Sequence, residues 1–183
     1  ATRGDNDLGP EITLENVWQI NHGHGIKRAG RKYMLDLEDI ATREVRMMKH
    51  DGGDAIVELT CGGLSPDPKG LQRIAAGTGV HLIMGCGYYV NDYQDPRNHG
   101  RTIDDFAAEM IGQILDGAWG TDIRAGMIGE IGCTSPWTDT EKRVMQAALV
   151  AAAETGAAIN VHPGRDPDRQ HGLHQHQRGQ GEL

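Results

Sequence analysis

Four short apolar runs, at residues 55–60, 81–87, 127–131 and 158–161, alternate with helix-length amphipathic segments, and no hairpin turn joins any two of them. Consecutive strands without a hairpin need crossover connections, so the pattern predicts successive βαβ units and a parallel sheet. The last two runs constrain the chain most. The run around residues 125–133 carries Glu130 and is followed by glycine; the run around 158–164 ends in His162, with Gly164 close behind. One helix-length segment separates them. Glu130 and His162 therefore arrive near the carboxyl ends of two strands, the end where α/β architectures place their chemistry.

The helices between the strands are marked by their ends. Asp36 is read as the N-cap of a helix over 37–49, with Glu38 and Asp39 in its first turn. A helix from Pro68 is closed by Gly79. Thr102 caps a third, with Asp104 and Asp105 following. Thr138 and Glu141 have the spacing of a capping box, opening a helix that runs to about Thr155 and stops at Gly156. The mostly apolar run 55–60 predicts a strand buried on both faces. Residues 90–101 read as a longer polar loop, and residues 12–20 as a short helix or a packed loop. From Asp168 onward apolar periodicity ends, so residues 168–183 read as a disordered, non-native tail behind a domain over 1–167.

Composition excludes some classes of partner. A formal charge of −8 leaves no basic stripe for nucleic acid. No apolar run reaches the roughly 18 residues of a membrane span. Three widely spaced cysteines, Cys61, Cys86 and Cys133, form no CxxC pair, so they read as small buried hydrophobes in a reducing cytoplasm. A thiolate site with Glu130 is the alternative role for them. His22-Gly23-His24 has the spacing that puts two imidazoles on one side of a strand. Its neighbours Asn21, Gly25, Lys27 and Arg28 make it a solvated loop instead.

Glu130 sits in an otherwise apolar strand, and a carboxylate is seldom buried unless it is paired or holds a metal. A helix-capping acid or a partner for Arg124 is the plainer alternative, as a hydrogen-bonded core imidazole is for His162. One βα unit apart at matching strand ends, the two point to a hard site with oxygen and nitrogen ligands.

The segment 128–144, IGEIGCTSPWTDTEKRV, followed by 155–165, TGAAINVHPGR, closely resembles the phosphotriesterase-related family of the amidohydrolase superfamily. Upstream, 47–60 (MMKHDGGDAIVELT) is similar to that family's second strand and preceding helix, and 78–90 (TGVHLIMGCGYYV) to its third. The resemblance covers residues 11–168 or so. It implies an α/β fold that is part of a TIM (β/α)8 barrel, about strands 2–5. It also implies a centre of two divalent metal ions, usually zinc, that activates water against phosphotriesters, lactones, or related esters and amides. Glu130 matches the family's bridging ligand from the fourth strand, and His162 its fifth-strand histidine. Tyr88 and Arg165 match barrel-mouth positions and are candidates to touch a small-molecule substrate.

The departures are equally specific. The family's strand-one HxH pair lies upstream of where His22 and His24 fall, so no ligand role transfers to them. The sixth-strand histidine and eighth-strand aspartate have no counterpart here. The resemblance ends near Asp168, which reads as a truncated or frame-shifted copy. Three functions follow: a metal-dependent hydrolase of which this chain is a part, a catalytically inactive fragment, or a half-barrel binding or regulatory protein that assembles, for instance as a homodimer, through its open edges.

Overall fold

The computed structural model describes residues 13–15 and 37–164. The readings for residues 16–20, His22-Gly23-His24, Asp36, Arg165 and the tail 168–183 lie outside the described residues. The chain divides into two compact units, Ala1–Gly52 and Gly53–Leu183.

The first unit contributes helix α1, Glu38–His50. It begins one residue later than predicted: its N-cap is Leu37, with no side-chain hydrogen bond. Glu38 and Asp39 in the first turn and Lys49 and His50 in the last complement the helix dipole.

The second unit holds strands β1 (Ala55–Glu58), β2 (His81–Cys86), β3 (Met127–Gly132) and β4 (Ile159–His162), with helices α2 (Pro68–Thr78), α3 (Ile103–Leu115) and α4 (Asp139–Thr155) between them. All the strand pairs are parallel, and the order is β1-β2-β3-β4. That order decides the architecture. A doubly wound sheet reverses its order at a switch point, whereas a barrel adds each strand beside the last. The unit is a curled half-barrel.

The helix ends form as their residues dictate. The Asp67 side chain accepts the Gly70 N–H at 2.9 Å, with Pro68 in the first turn. Thr102 with Asp105 and Thr138 with Glu141 each make a reciprocal capping box. Beneath α3 and α4 the sheet buries Met84, Cys86, Ile128 and Ile131 against Phe106, Met110, Val144, Ala147, Ala148 and Ala151. The small residues of α4 let that helix lie close to its neighbours. Period two puts Ile83 on the other face of β2, where it is 37% exposed beside its register partner Val57 at 44%. The expectation that β1 is buried on both faces is therefore corrected: among the described residues only one face is covered. Residues 90–101 also differ from a solvated polar loop. They contain two 3-10 turns, Asn91–Tyr93 and Pro96–Gly100, and bury the side chains of Gln94 and Asn98. Gln94 Nε2 donates to the Tyr89 carbonyl at 2.6 Å, and Asn98 Nδ2 donates to Gln94 Oε1 at 3.2 Å. These two amides do for the loop what a ladder does for a strand.

Candidate metal centre

Glu130 owes its position to a bulge. Ile128 pairs with Ile159 and Ile131 with Val161, so β3 carries one more residue than β4 over the same span. Ile128 and Ile131, an odd number of residues apart, can then both face the helices, and both are fully buried. Glu130 is turned to the opposite face. The bulge requires glycine before it: Gly129 has φ +143°, and a Cβ there would stand 2.6 Å from the Asn160 carbonyl oxygen. The backbone groups of Glu130 leave the ladder and find partners on the exit of β1. Its N–H donates to the Leu59 carbonyl at 3.4 Å, and its carbonyl accepts from the Cys61 thiol at 3.1 Å.

His162 is the last residue of β4, in register with Gly132. Its carbonyl accepts the Cys133 N–H at 3.0 Å. Its Nδ1 stands 3.0 Å from Glu130 Oε2, and its Nε2 stands 3.1 Å from the Tyr89 hydroxyl. The Tyr89 ring meets the imidazole edge-on, with centroids 4.8 Å apart. Carboxylate, imidazole and phenol thus form one chain. With the proton on Nδ1, that nitrogen donates to Glu130 and Nε2 accepts from Tyr89; an ion held on Nδ1 would place the proton on Nε2, which would then donate to the Tyr89 oxygen. Burial holds the Tyr89 phenol above its ordinary pKa, and the nearby Glu130 carboxylate adds to this, so Tyr89 remains a proton donor at neutral pH.

Tyr89 reaches His162 because the exit of β2 rides over β3. The Gly132 N–H donates to the Tyr88 carbonyl at 3.0 Å, and a Cβ on Gly132 would fall within 2.7 Å of Val90 Cα.

The donor set is a mixed oxygen and nitrogen pair, the type that holds zinc. Two ligands on one tetrahedral ion, each at about 2.0–2.2 Å, stand roughly 3.3–3.6 Å apart, so the pair, hydrogen-bonded at 3.0 Å, would open by a few tenths of an ångström to hold an ion. Among the described residues no third histidine, cysteine, aspartate or glutamate completes a cluster. The match to a model of the phosphotriesterase family runs over residues 20–179 and takes in both donors. The chain belongs to the phosphotriesterase family.

Relatives of this phosphotriesterase-family chain include an N-acetyltaurine hydrolase of Xenopus tropicalis, 41% identical over 157 residues, which are 86% of this chain and 45% of that protein. Among solved structures it is similar to a resiniferatoxin-binding protein from Rhodobacter sphaeroides, with TM-score 0.76 and 35% identity over 85% of this chain and 43% of the other. It also shares its fold with a phosphotriesterase homology protein from Escherichia coli complexed with phosphate, at TM-score 0.70 and 24% identity over 92% of this chain and 56% of the other. The chain thus spans less than half the length of the N-acetyltaurine hydrolase it matches.

Of the residues singled out in the sequence, Glu130 and His162 are brought together. Tyr88 is not brought to them. Its hydroxyl accepts from Arg101 Nη1 at 2.7 Å and donates to Glu109 at 2.9 Å, and its ring packs edge-on against Phe106 and Trp119. Burial, reinforced by the Glu109 carboxylate, pushes its phenol up to about 12. Arg101 stacks over Phe106 at 4.3 Å and pairs with Glu109, which closes this helix-side network. Tyr89 is the site residue that sequence reasoning missed; Cys61, weighed there as a partner of Glu130, lies against the Glu130 backbone. Cys61, Cys86 and Cys133 are all free and buried. Burial pushes the Cys61 thiol up to about 12, with the Glu130 charge adding to it, and the thiol donates to the Glu130 carbonyl.

Proposed function

We propose that this chain supplies the second to fifth βα units of a metal-dependent hydrolase, with Glu130 and His162 as ligands to a divalent-metal centre. The observation that carries the reading is the Nδ1–Oε2 approach of 3.0 Å between two donors delivered by adjacent strand ends. Two divalent ions, zinc first among them, are the cofactor of this reading, and Glu130 and His162 would be the residues of this chain that hold them. When bound, such ions polarise the scissile bond and make water acidic enough to attack at neutral pH. The residues of this chain do the rest. Glu130 presents one oxygen to His162 and leaves the other open. His162 is oriented by its carbonyl bond to Cys133 and by the Tyr89 hydroxyl on Nε2. A histidine ligand held at its second nitrogen keeps its ring plane and basicity.

The substrate proposed is a small carboxamide or ester. The relation to N-acetyltaurine hydrolases favours an N-acyl amide within that class. No helix of the described residues is long and apolar enough to cross a membrane.

The test is titration of cobalt chloride into the full chain, read in the visible ligand-field bands, with Glu130→Gln and His162→Asn alongside. A variant carrying glutamine at His171, His174 and His176 removes adventitious binding by the tail. Ligand-field bands that vanish in both site variants and persist in the tail variant support the centre; equal bands in all the chains refute it. The hydrolytic half of the proposal is checked with an N-acyl amide, lactone and phosphotriester panel on the metal-loaded protein.

A further inference from the structure

Glu141 is the one carboxylate among the fully buried side chains of the described residues. Its capping box accounts for only part of what it does. Oε2 accepts the Thr138 N–H at 2.9 Å and the Thr134 N–H at 3.2 Å, and the Thr134 hydroxyl lies 2.7 Å away. Oε1 faces elsewhere and accepts the Asn91 N–H at 3.0 Å. The two oxygens therefore grip two different strand exits. Asn91 lies two residues beyond Tyr89, on the exit of β2. Thr134 directly follows Cys133, whose N–H holds the His162 carbonyl, on the exit of β3. The Tyr89–His162 contact is clamped from both sides by one buried side chain. Burial alone raises the carboxyl pKa, but the hydrogen bonds from Asn91, Thr138 and Thr134 outweigh it and hold Glu141 below the ordinary range. It is an anion at neutral pH.

We propose that Glu141 is a positioning residue of the candidate centre: its carboxylate sets the reach of Tyr89 to His162 by fastening the exits of β2 and β3 together. The proposal deepens the metal-centre reading and rests on it for its functional meaning, while the geometry it predicts holds with or without metal. The loop is also held elsewhere, by Gly62, whose carbonyl accepts the Tyr89 N–H at 2.9 Å, and by Gln94. The Gly62 bond ties the Tyr89 backbone to the exit of β1, and Gln94 holds it within its own loop. Glu141 and the bare backbone of Gly132 fix that loop against the strand that neighbours His162.

The substitution Glu141→Gln separates the two grips. Glutamine has one acceptor oxygen. Kept at the position with the most donors, it preserves the bonds to Thr134 and Thr138, and its amide then opposes the Asn91 N–H, donor against donor. Asn91→Pro cuts the same bond from the other side. Asn91 opens a 3-10 turn, where proline is tolerated, and Val90 at φ −59° and ψ 151° already has the extended conformation that proline demands of its predecessor.

The experiment is carbon-edited nuclear Overhauser spectroscopy on the full chain, free of metal, reading cross-peaks between the Tyr89 and His162 rings. Amide shifts of Met84 and Ile128 serve as the control for the sheet. Loss of the ring cross-peaks in Glu141→Gln and Asn91→Pro, with sheet amides unmoved, is the expected result. Cross-peaks of wild-type intensity in either folded variant overturn the proposal. If both variants lose cooperative unfolding, Glu141 is a stability element only, and the positioning role is likewise overturned. Zinc chloride titrations on the same proteins carry the functional arm, with affinity falling about 10-fold in Glu141→Gln, the usual scale for losing an outer partner of a ligand. A wild-type chain that takes up no zinc at Glu130 and His162 refutes the metal reading and leaves the ring cross-peaks to judge Glu141.

Discussion

Gly132→Ala perturbs the point where the fold and the candidate centre meet. The added methyl has no free direction: it falls within 2.7 Å of Val90 Cα and closer still to Val90 N and Tyr89 C, all of them backbone atoms that no side-chain rotation can move aside. Forcing one methyl into a packed site costs about 1–3 kcal/mol. Lifting the β2 exit also strains the bond from the Gly132 N–H to the Tyr88 carbonyl, 3.0 Å long and worth roughly 0.5–1.5 kcal/mol net. The expected loss is about 1.5–4.5 kcal/mol, the sum of those two ranges. Urea unfolding followed by far-UV circular dichroism measures it as a lower midpoint at unchanged slope. Because the same displacement withdraws Tyr89, the ring cross-peaks to His162 should disappear together with the stability. A variant within about 0.5 kcal/mol of wild type, the range of an uninvolved surface change, would refute the crossing of the β2 exit over Gly132 and the route by which Tyr89 reaches the centre.

Three further outcomes are expected. Thr138→Ala removes the hydroxyl that accepts the Glu141 N–H and should cost about 1 kcal/mol, read as a midpoint shift that leaves the slope alone. The thiols of Cys61 and Cys86, pushed up to about 12 chiefly by burial, should resist iodoacetamide at pH 8 in the native chain and react fully in urea; rapid native labelling contradicts the burial. Glu141 has a folded pKa below its unfolded one, so its contribution is present above the unfolded carboxyl pKa and is lost as pH falls through the folded one. Unfolding free energy should therefore decline on acidification below about pH 4.5, the ordinary value for the group. The Glu141→Gln chain should show a shallower decline, and identical pH profiles count against the hydrogen bonds assigned to it.

What could be read from the residues alone depended on whether a signal was local. The cap at Thr102, the capping box at Thr138 and the glycine stops at Gly79 and Gly156 are contained within single turns, and the helices formed where those residues put them. The pairing of Glu130 with His162 was legible because one βα unit fixes the relation between neighbouring strand ends. The bulge that aims Glu130 was not, since it arises from the register of β3 against β4 and no single strand carries it. The polar composition of residues 90–101 suggested solvent, yet Gln94 and Asn98 are buried because their amides replace backbone partners in the loop. The role of Glu141 was half visible: the capping box showed in the sequence, and the second oxygen, holding Asn91 fifty positions away, did not.

The two tyrosines show where a local rule was available and carried further than the positional argument did. Met84 and Cys86 face the helices, and beyond β2 the chain bends at Gly87, at φ +98°, before Tyr88 bridges Gly62 in parallel. Tyr88 comes to the same side as Met84 and Cys86, into Phe106 and the Arg101–Glu109 pair. Tyr89, on the opposite parity, is left to face His162. A position at the end of a strand tells which residues are near a barrel mouth; the parity of the strand tells which of them points there. For neighbours as alike as Tyr88 and Tyr89, that single step of alternation separates a packing residue from a partner of the candidate ligand.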